Sequence, residues 1–248
     1  MPHLLLDIGN TRAKFALSDN GKLILSDFVD LNHSDTLHSL CDIYHPDAAI
    51  ASVVGNMPDF NSLLPSPLAS RLHLLSCNSR LPITIDYDTP QSLGMDRVAA
   101  CIGARTLCKD DALMVIDAGT CITIDILDDS NCYRGGAILP GLKMRLRALH
   151  DFTAALPLVE PDSAQWDGSQ PVPLAGKSTR NSILSGVLND TLFEIQSFAQ
   201  QFNNTYPSLK LFLTGGNADF FAKQLFFPNF ANSNLLFLGL DKILEMNL

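Results

Sequence analysis

Hydrophobic residues along this chain gather into short runs, each closed by polar or glycine-bearing punctuation. LLLDI (4–8), AKFAL (13–17), LILSDFV (23–29), AAIASVV (48–54) and HLLSC (73–77) read as strands. A second set follows: LMVID (113–117), ITIDIL (122–127), YRGGAIL (133–139), LKLFLT (209–214) and NLLFLGL (234–240). Helical spacing lies between them. Residues 96–108 carry Val98, Ile102 and Leu107 on a small-residue background, and residues 179–202 repeat apolar positions at helical intervals. Strands alternating with helices predict an α/β protein.

Two segments resemble each other. LLLDIGNTRAKFAL runs strand, Asp7-Ile8-Gly9-Asn10-Thr11, strand; MVIDAGTCITIDIL runs strand, Asp117-Ala118-Gly119-Thr120, strand. The two aspartates stand 110 positions apart, close to half the chain. Each unit precedes a third strand and, later, an apolar strand ending in Gly-Asn, at 53–56 and 214–217. This order predicts a duplicated core. The charged sequence at 109–111 marks the boundary, giving a first lobe over 1–111 and a second over 112–248, with the last helix free to pack back on the first. The stretch 160–174, rich in Pro, Gly and Ser, reads as a loop within the second half.

Composition narrows the class. The 248 residues are 46% hydrophobic and 17% charged, ordinary for a globular protein. Twenty-six acidic against 17 basic residues give a net charge of −9, which repels nucleic acid and anionic lipid alike. The densest basic cluster, Lys143, Arg145 and Arg147, is too short for a nucleic-acid stripe. The first ten residues lack the features of a secretory leader, and Asp117 and Asp125 break the most apolar segment before it reaches membrane-spanning length. Six cysteines without a CxxC pair read as reduced thiols. These features predict a cytoplasmic protein that binds neither nucleic acid nor membrane.

The Asp-x-Gly-x-Thr hairpins have a physical use. Glycine lets backbone amides approach a phosphate, threonine adds a hydroxyl donor, and aspartate can hold a cation or its water shell. Asp, Gly, Asn and Thr also form ordinary solvated turns; recurrence at half-chain spacing favours the phosphate reading. Facing across a cleft, the hairpins would grip a nucleotide triphosphate from both sides.

Asp7-Ile8-Gly9-Asn10-Thr11-Arg12-Ala13-Lys14 resembles the N-terminal phosphate loop of the type III pantothenate kinases. Three further blocks match that family in order: Tyr87 followed by Gly94-Met95-Asp96-Arg97; Asp117-Ala118-Gly119-Thr120 preceding Gly135 to Gly141 and Thr153 to Pro157; and Gly176 to Thr179 leading into Ser185-Gly186. Each block is short, and their joint order is specific.

The resemblance implies an ATP-dependent kinase acting on the terminal hydroxyl of pantothenate, the first step of coenzyme A biosynthesis. Its fold would be two ribonuclease H-like (actin-like ATPase) lobes, each a mixed five-stranded sheet flanked by helices, with a cleft between them. By the match Asp96 is the general base, with residues 7–14 (Asp7, Ile8, Gly9, Asn10, Thr11, Arg12, Ala13, Lys14) and Thr120 on ATP. Tyr87, Gly94, Met95, Asp96, Arg97 and Thr179 line the pantothenate site, and Asp117 holds a monovalent cation, potassium or ammonium. Mg²⁺ rides on the phosphates, and a homodimer is implied. Asp96-Arg97 alone reads more readily as an ion pair at a helix start. Arg12 is left without a role, and Cys121 stands where the family often has alanine. Gly176-Lys177-Ser178 imitates the end of a Walker A loop, but Pro171 occupies the first glycine position. Competing readings are another actin-fold small-molecule kinase and a non-catalytic accessory factor for transcription from the same family.

Overall fold

The computed structural model describes residues 2–9, 12–33 and 35–248. In chain order the elements begin β1 (Pro2–Ile8), β2 (Ala13–Asp19), β3 (Lys22–Val29), α1 (Asp35–Tyr44) and β4 (Ala48–Val53). They continue with α2 (Phe60–Leu63), α3 (Ser66–Ala69), β5 (Leu72–Leu74), β6 (Thr84–Ile85) and α4 (Met95–Leu107). The later half adds β7 (Leu113–Ala118), β8 (Cys121–Leu127), β9 (Cys132–Pro140), α5 (Leu142–Asp151), α6 (Ser163–Trp166) and α7 (Thr179–Leu184). Then come α8 (Asp190–Thr205), β10 (Lys210–Thr214), α9 (Ala218–Gln224), β11 (Asn229–Ala231) and α10 (Leu235–Asn247).

Two compact units result. The first takes the chain to Lys109 and adds Asn131–Tyr133 and Asn234–Leu248; the second holds Asp110–Ser130 and Arg134–Ser233.

The first unit is built on a sheet ordered β3-β2-β1-β4-β5. β1 pairs antiparallel with β2 and parallel with β4, which pairs parallel with β5. β1 and β4 are buried almost throughout, as expected of strands covered on both faces. On one side Leu4, Leu6, Phe15 and Leu17 pack with Leu37, Phe60 and Leu64. α4 and α10 pack closely through two glycines. A methyl on Gly103 would overlap the Leu235 carbonyl, and one on Gly239 the Ala99 carbonyl. One polar group is buried in α10: Asp241 Oδ1 accepts hydrogen bonds from Ser18 Oγ at 2.6 Å and His3 Nδ1 at 2.8 Å. A carboxylate removed from water needs such donors.

The second sheet is ordered β11-β10-β7-β8-β9-β6. Its β9-β8-β7-β10-β11 portion repeats the order of the first sheet, with β7 and β8 antiparallel and β7, β10 and β11 parallel. The expected five strands are exceeded by one. The two-residue β6 adds alongside Cys132 and Tyr133, which belong with it in the first unit. Its core gathers Met114, Ile116, Ile122 and Ile124 with Leu184, Leu188, Ile195 and Phe221.

One element expectation is corrected and another refined. The run at 234–240, expected as a strand, begins α10. A continuous apolar stretch fits either state, and here it continues through residues 241–247, burying Asp241, Ile243 and Leu244 at helical spacing. The helical spacing expected over 179–202 holds: α7 and α8 run on continuously to Thr205 through a π segment at Ser185–Asn189. There Ser185 Oγ donates to the Leu174 carbonyl at 2.6 Å and Asn189 Nδ2 to that of Val172 at 3.3 Å. The wider turn thereby ties down the preceding loop.

Candidate active site

In the first unit the β1–β2 hairpin carries Asp7 opposite Lys14 in its register and Ile8 opposite Ala13. Gly9 N–H donates to the Arg12 carbonyl at 3.1 Å, closing the turn. The Ile8 carbonyl accepts from Val54 N–H at 2.8 Å, tying the turn to the end of β4. Asn10 and Thr11, expected to touch ATP, lie outside the described residues. Arg12 Cζ lies 5.1 Å and Lys14 Nζ 5.4 Å from the centre of the Phe28 ring. The ring's negative face attracts both cations. This group opens on a cavity of about 620 Å³ lined by Gly9, Arg12, Ala13, Phe28, Asp30 and neighbours. Phe28 was not anticipated. Its cross-strand pairing with Lys14 depends on the β2–β3 register, which the residue types alone do not reveal.

Gly94 caps the N-terminus of α4, whose first turn holds Met95, Asp96 and Arg97. A Cβ on Gly94 would come within 2.6 Å of Asp96 Oδ1. The glycine therefore leaves room for the carboxylate to fold back over the helix start, where the macrodipole favours negative charge. Arg97 is only 7% exposed. A guanidinium so buried must be paired, and Arg97 does have partners. Tyr87 follows β6, which is held by Thr84 N–H to the Asn131 carbonyl (2.9 Å) and Asp86 N–H to that of Tyr133 (3.0 Å). The Tyr87 ring packs against Tyr133, with centroids 6.2 Å apart. Tyr133 is fully buried and was read only as a strand residue. Gly94, Asp96 and Arg97 are thus brought together, while Tyr87 is positioned from a separate element.

In the second unit Asp117, at half burial, faces Thr123 across the β7–β8 hairpin. Gly119 N–H donates to the Cys121 carbonyl at 2.9 Å, as Gly9 does to Arg12 one residue further on. Two more glycines press on this turn. Gly215, at φ +89°, lies against the Asp117 carboxylate and the Ala118 backbone, so a side chain there would meet strain and collision together. Gly141, which caps α5, donates its N–H to the Thr120 carbonyl at 3.2 Å and has no room for a Cβ. Thr120 and Cys121 are exposed. Thr179 is the first residue of α7, exposed, beside the Ser178 cap whose Oγ accepts from Asn181 N–H. No strand precedes the Gly176-Lys177-Ser178 sequence, as a P-loop requires.

Among the described residues no three His, Cys, Asp or Glu side chains converge as a metal-binding group. The first unit offers a glycine turn, a half-buried carboxylate at a helix start, and buried or ring-held cations, groups that suit transfer of an anionic group to an alcohol. The second unit offers a glycine turn of its own.

Known proteins place the chain. A family model described as type III pantothenate kinase matches residues 3–201. The type III pantothenate kinase of Cytophaga hutchinsonii is 39% identical over 245 residues, covering 99% of both chains. Among solved structures, a candidate Baf-family transcriptional activator from Campylobacter jejuni superposes with TM-score 0.62 at 23% identity, covering 98% of each chain. A glucokinase from an Antarctic psychrotroph does so at TM-score 0.51 and 17% identity, again over 98% of each. These likenesses show the shared fold of actin-like ATPases and sugar kinases. On the match along most of its length, the chain belongs to the type III pantothenate kinase family.

Proposed function

We propose that this enzyme transfers the γ-phosphoryl group of ATP to the terminal hydroxyl of pantothenate, with Asp96 as the base. The observation that carries this reading is Gly94 packed on the Asp96 carboxylate at the start of α4. It keeps an acceptor oxygen at the surface of a helix end, with a buried arginine one residue on. Phosphoryl transfer has a loose transition state, so the protein's work is positioning and charge neutralisation. As the pantothenate oxygen bonds to the γ-phosphorus, its proton passes to an Asp96 oxygen. The bond from that phosphorus to the bridging oxygen breaks, and ADP leaves with the electron pair. Arg97 offers a planar, permanently charged fork to the pantothenate carboxylate. Tyr87, held by Tyr133, with Gly94, Met95 and Thr179, completes the acceptor site. Residues 7–14 and Thr120 hold ATP, and Lys14 and Arg12 bring positive charge to its phosphates.

A kinase of this family uses ATP with a divalent metal; Mg²⁺ would be carried on the phosphates, with water filling much of its shell. Asp117 is our choice for the monovalent cation. Its carboxylate lies against Gly215 and suits a weakly held ion beside phosphate, whose charge that ion would offset. The enzyme acts in the cytoplasm as a homodimer. Supporting the dimer, the second unit exposes Ile138, Met144, Phe152, Leu158 and Leu174. No helix among the described residues is long and apolar enough to cross a membrane.

The test is direct. Purified protein mixed with ATP, Mg²⁺ and pantothenate should release ADP only when pantothenate is present, and faster with potassium or ammonium than with sodium. Light scattering of the eluting protein should give twice the chain mass. Turnover with a sugar in place of pantothenate, or silence with every acceptor, would overturn the proposal.

A further inference from the structure

One arginine of the second unit belongs to no assigned role, yet it is bonded on every side. Arg145, on α5, has a side chain only 14% exposed. Its Nη1 and Nη2 meet Glu194 Oε1 at 3.2 Å and Oε2 at 2.5 Å, a two-pronged pairing with α8. Asp190 Oδ2 lies 3.5 Å from Nη1. The remaining edge is turned the other way: Nε donates to the Pro140 carbonyl at 2.8 Å.

That carbonyl shares one planar peptide group with the N–H of Gly141. The same Gly141 N–H donates to the Thr120 carbonyl at 3.2 Å. Gly141 also sits so tightly on the carbonyls of Gly119 and Thr120 that a methyl group would not fit. A rigid plane therefore has the guanidinium at its oxygen and the Gly119–Thr120 turn at its hydrogen. Tilting the plane to lose one bond strains the other. Polarisation runs along the same line, since a charged donor on the carbonyl strengthens the N–H as a donor.

We propose that Arg145 is a positioning residue for ATP: anchored by Glu194, it fixes the Pro140–Gly141 peptide, and through it the Gly119–Thr120 turn. This rests on the reading that Thr120 contacts ATP. Arg145 touches no substrate. It acts by holding the turn at the spacing a phosphate needs. Lysine cannot replace it fully, because an ammonium lacks the planar fork that serves Glu194 and Pro140 at once.

The test is steady-state kinetics on the full-length chain, varying ATP and pantothenate separately. Arg145→Met should raise the KM for ATP about tenfold, the change expected from losing one charge-assisted hydrogen bond of roughly 1.4 kcal/mol. The KM for pantothenate should stay within twofold. Arg145→Lys should recover part of the loss. Glu194→Gln, which keeps the volume and loosens only the anchor, should move the same constant less; it carries the test if Arg145→Met does not fold. Thr120→Val is measured alongside. If Thr120→Val raises the KM for ATP while the Arg145 and Glu194 variants leave it unchanged, or move both KM values equally, the positioning role is overturned and the ATP site stands. If Thr120→Val itself leaves the KM for ATP unchanged, the turn is not the ATP site, and this role is overturned with it.

Discussion

Gly94 has no side chain because the Asp96 carboxylate occupies the space one would need. Under the proposed function that carboxylate is the base, rather than half of the surface ion pair an Asp-Arg dipeptide more often forms. The expected consequence is specific: Asp96→Asn should lose about 10²–10⁴ in kcat, the usual contribution of a general base. Its melting temperature and ATP affinity should be retained, because the amide keeps the shape of the carboxylate. Near-normal turnover of that variant would falsify the assigned role. Cysteines give a second residue-scale test. Cys121 is exposed beside Thr120, whereas Cys41 is buried and its thiol is pushed up to about 11, by burial first and the Asp42 charge second. A thiol reagent at pH 8 should label Cys121 first, and bound ATP should slow that labelling; Cys41 should react only on unfolding. Protection of Cys41 by its own pKa has a stability corollary. The folded state resists ionising it, so its contribution is intact below pH 9 and is lost as the pH rises towards 11. Mass spectrometry showing Cys41 labelled as fast as Cys121 in folded protein would contradict this order.

Whole elements show where the sequence is legible and where it is not. The β1–β2 and β7–β8 hairpins were readable because strand runs flank glycine turns, and α4 because its apolar spacing starts at a Gly-x-Asp-Arg sequence. α10 was misread, since seven apolar-rich residues suit a strand equally well; only the helix partner decides. That partner is α4, and the deciding residues are Gly103 and Gly239, whose neighbours lie over a hundred residues away in sequence. Tyr133, Phe28 and Arg145 escaped for the same reason, because each acts on a residue that only the folded register brings near. The α4–α10 contact makes a prediction whose sign is informative. On helix propensity alone Gly239→Ala should stabilise by about 0.5–1 kcal/mol. The overlap with the Ala99 carbonyl is with backbone and cannot be relieved by a rotamer change. Overpacking of that kind costs about 1–3 kcal/mol, which lowers the melting temperature by roughly 2–12 °C in a chain of this size. A thermal melt unchanged or raised in Gly239→Ala would show that the helices are not packed backbone to backbone. Because α4 carries Asp96, turnover should fall with stability.

At the scale of the molecule, the chain leaves its first unit at Lys109, rejoins it briefly at Asn131–Tyr133, and returns to it at Asn234. The first unit is therefore not contained in the first 109 residues. Without α10, the Gly103 face of α4 and the adjoining faces of β1 and β4 lose their cover, while His3 and Ser18 lose the Asp241 carboxylate that both donate to. Apolar burial contributes about 25 cal/mol per Å², so uncovering those faces removes a large part of the small net stability of a domain. Residues 1–109 expressed alone should accordingly unfold without a sharp transition and expose apolar surface to a dye. Joining residues 234–248 to Lys109 through a flexible glycine-serine linker should restore a cooperative melt, since the helix then returns at high effective concentration. Changing Asp241→Ala in that fusion should weaken the melt again, which distinguishes docking of α10 in its native register from unspecific covering of an apolar face. A sharp transition in 1–109 at the temperature of the fusion would mean that the first unit completes its core without the returning helix.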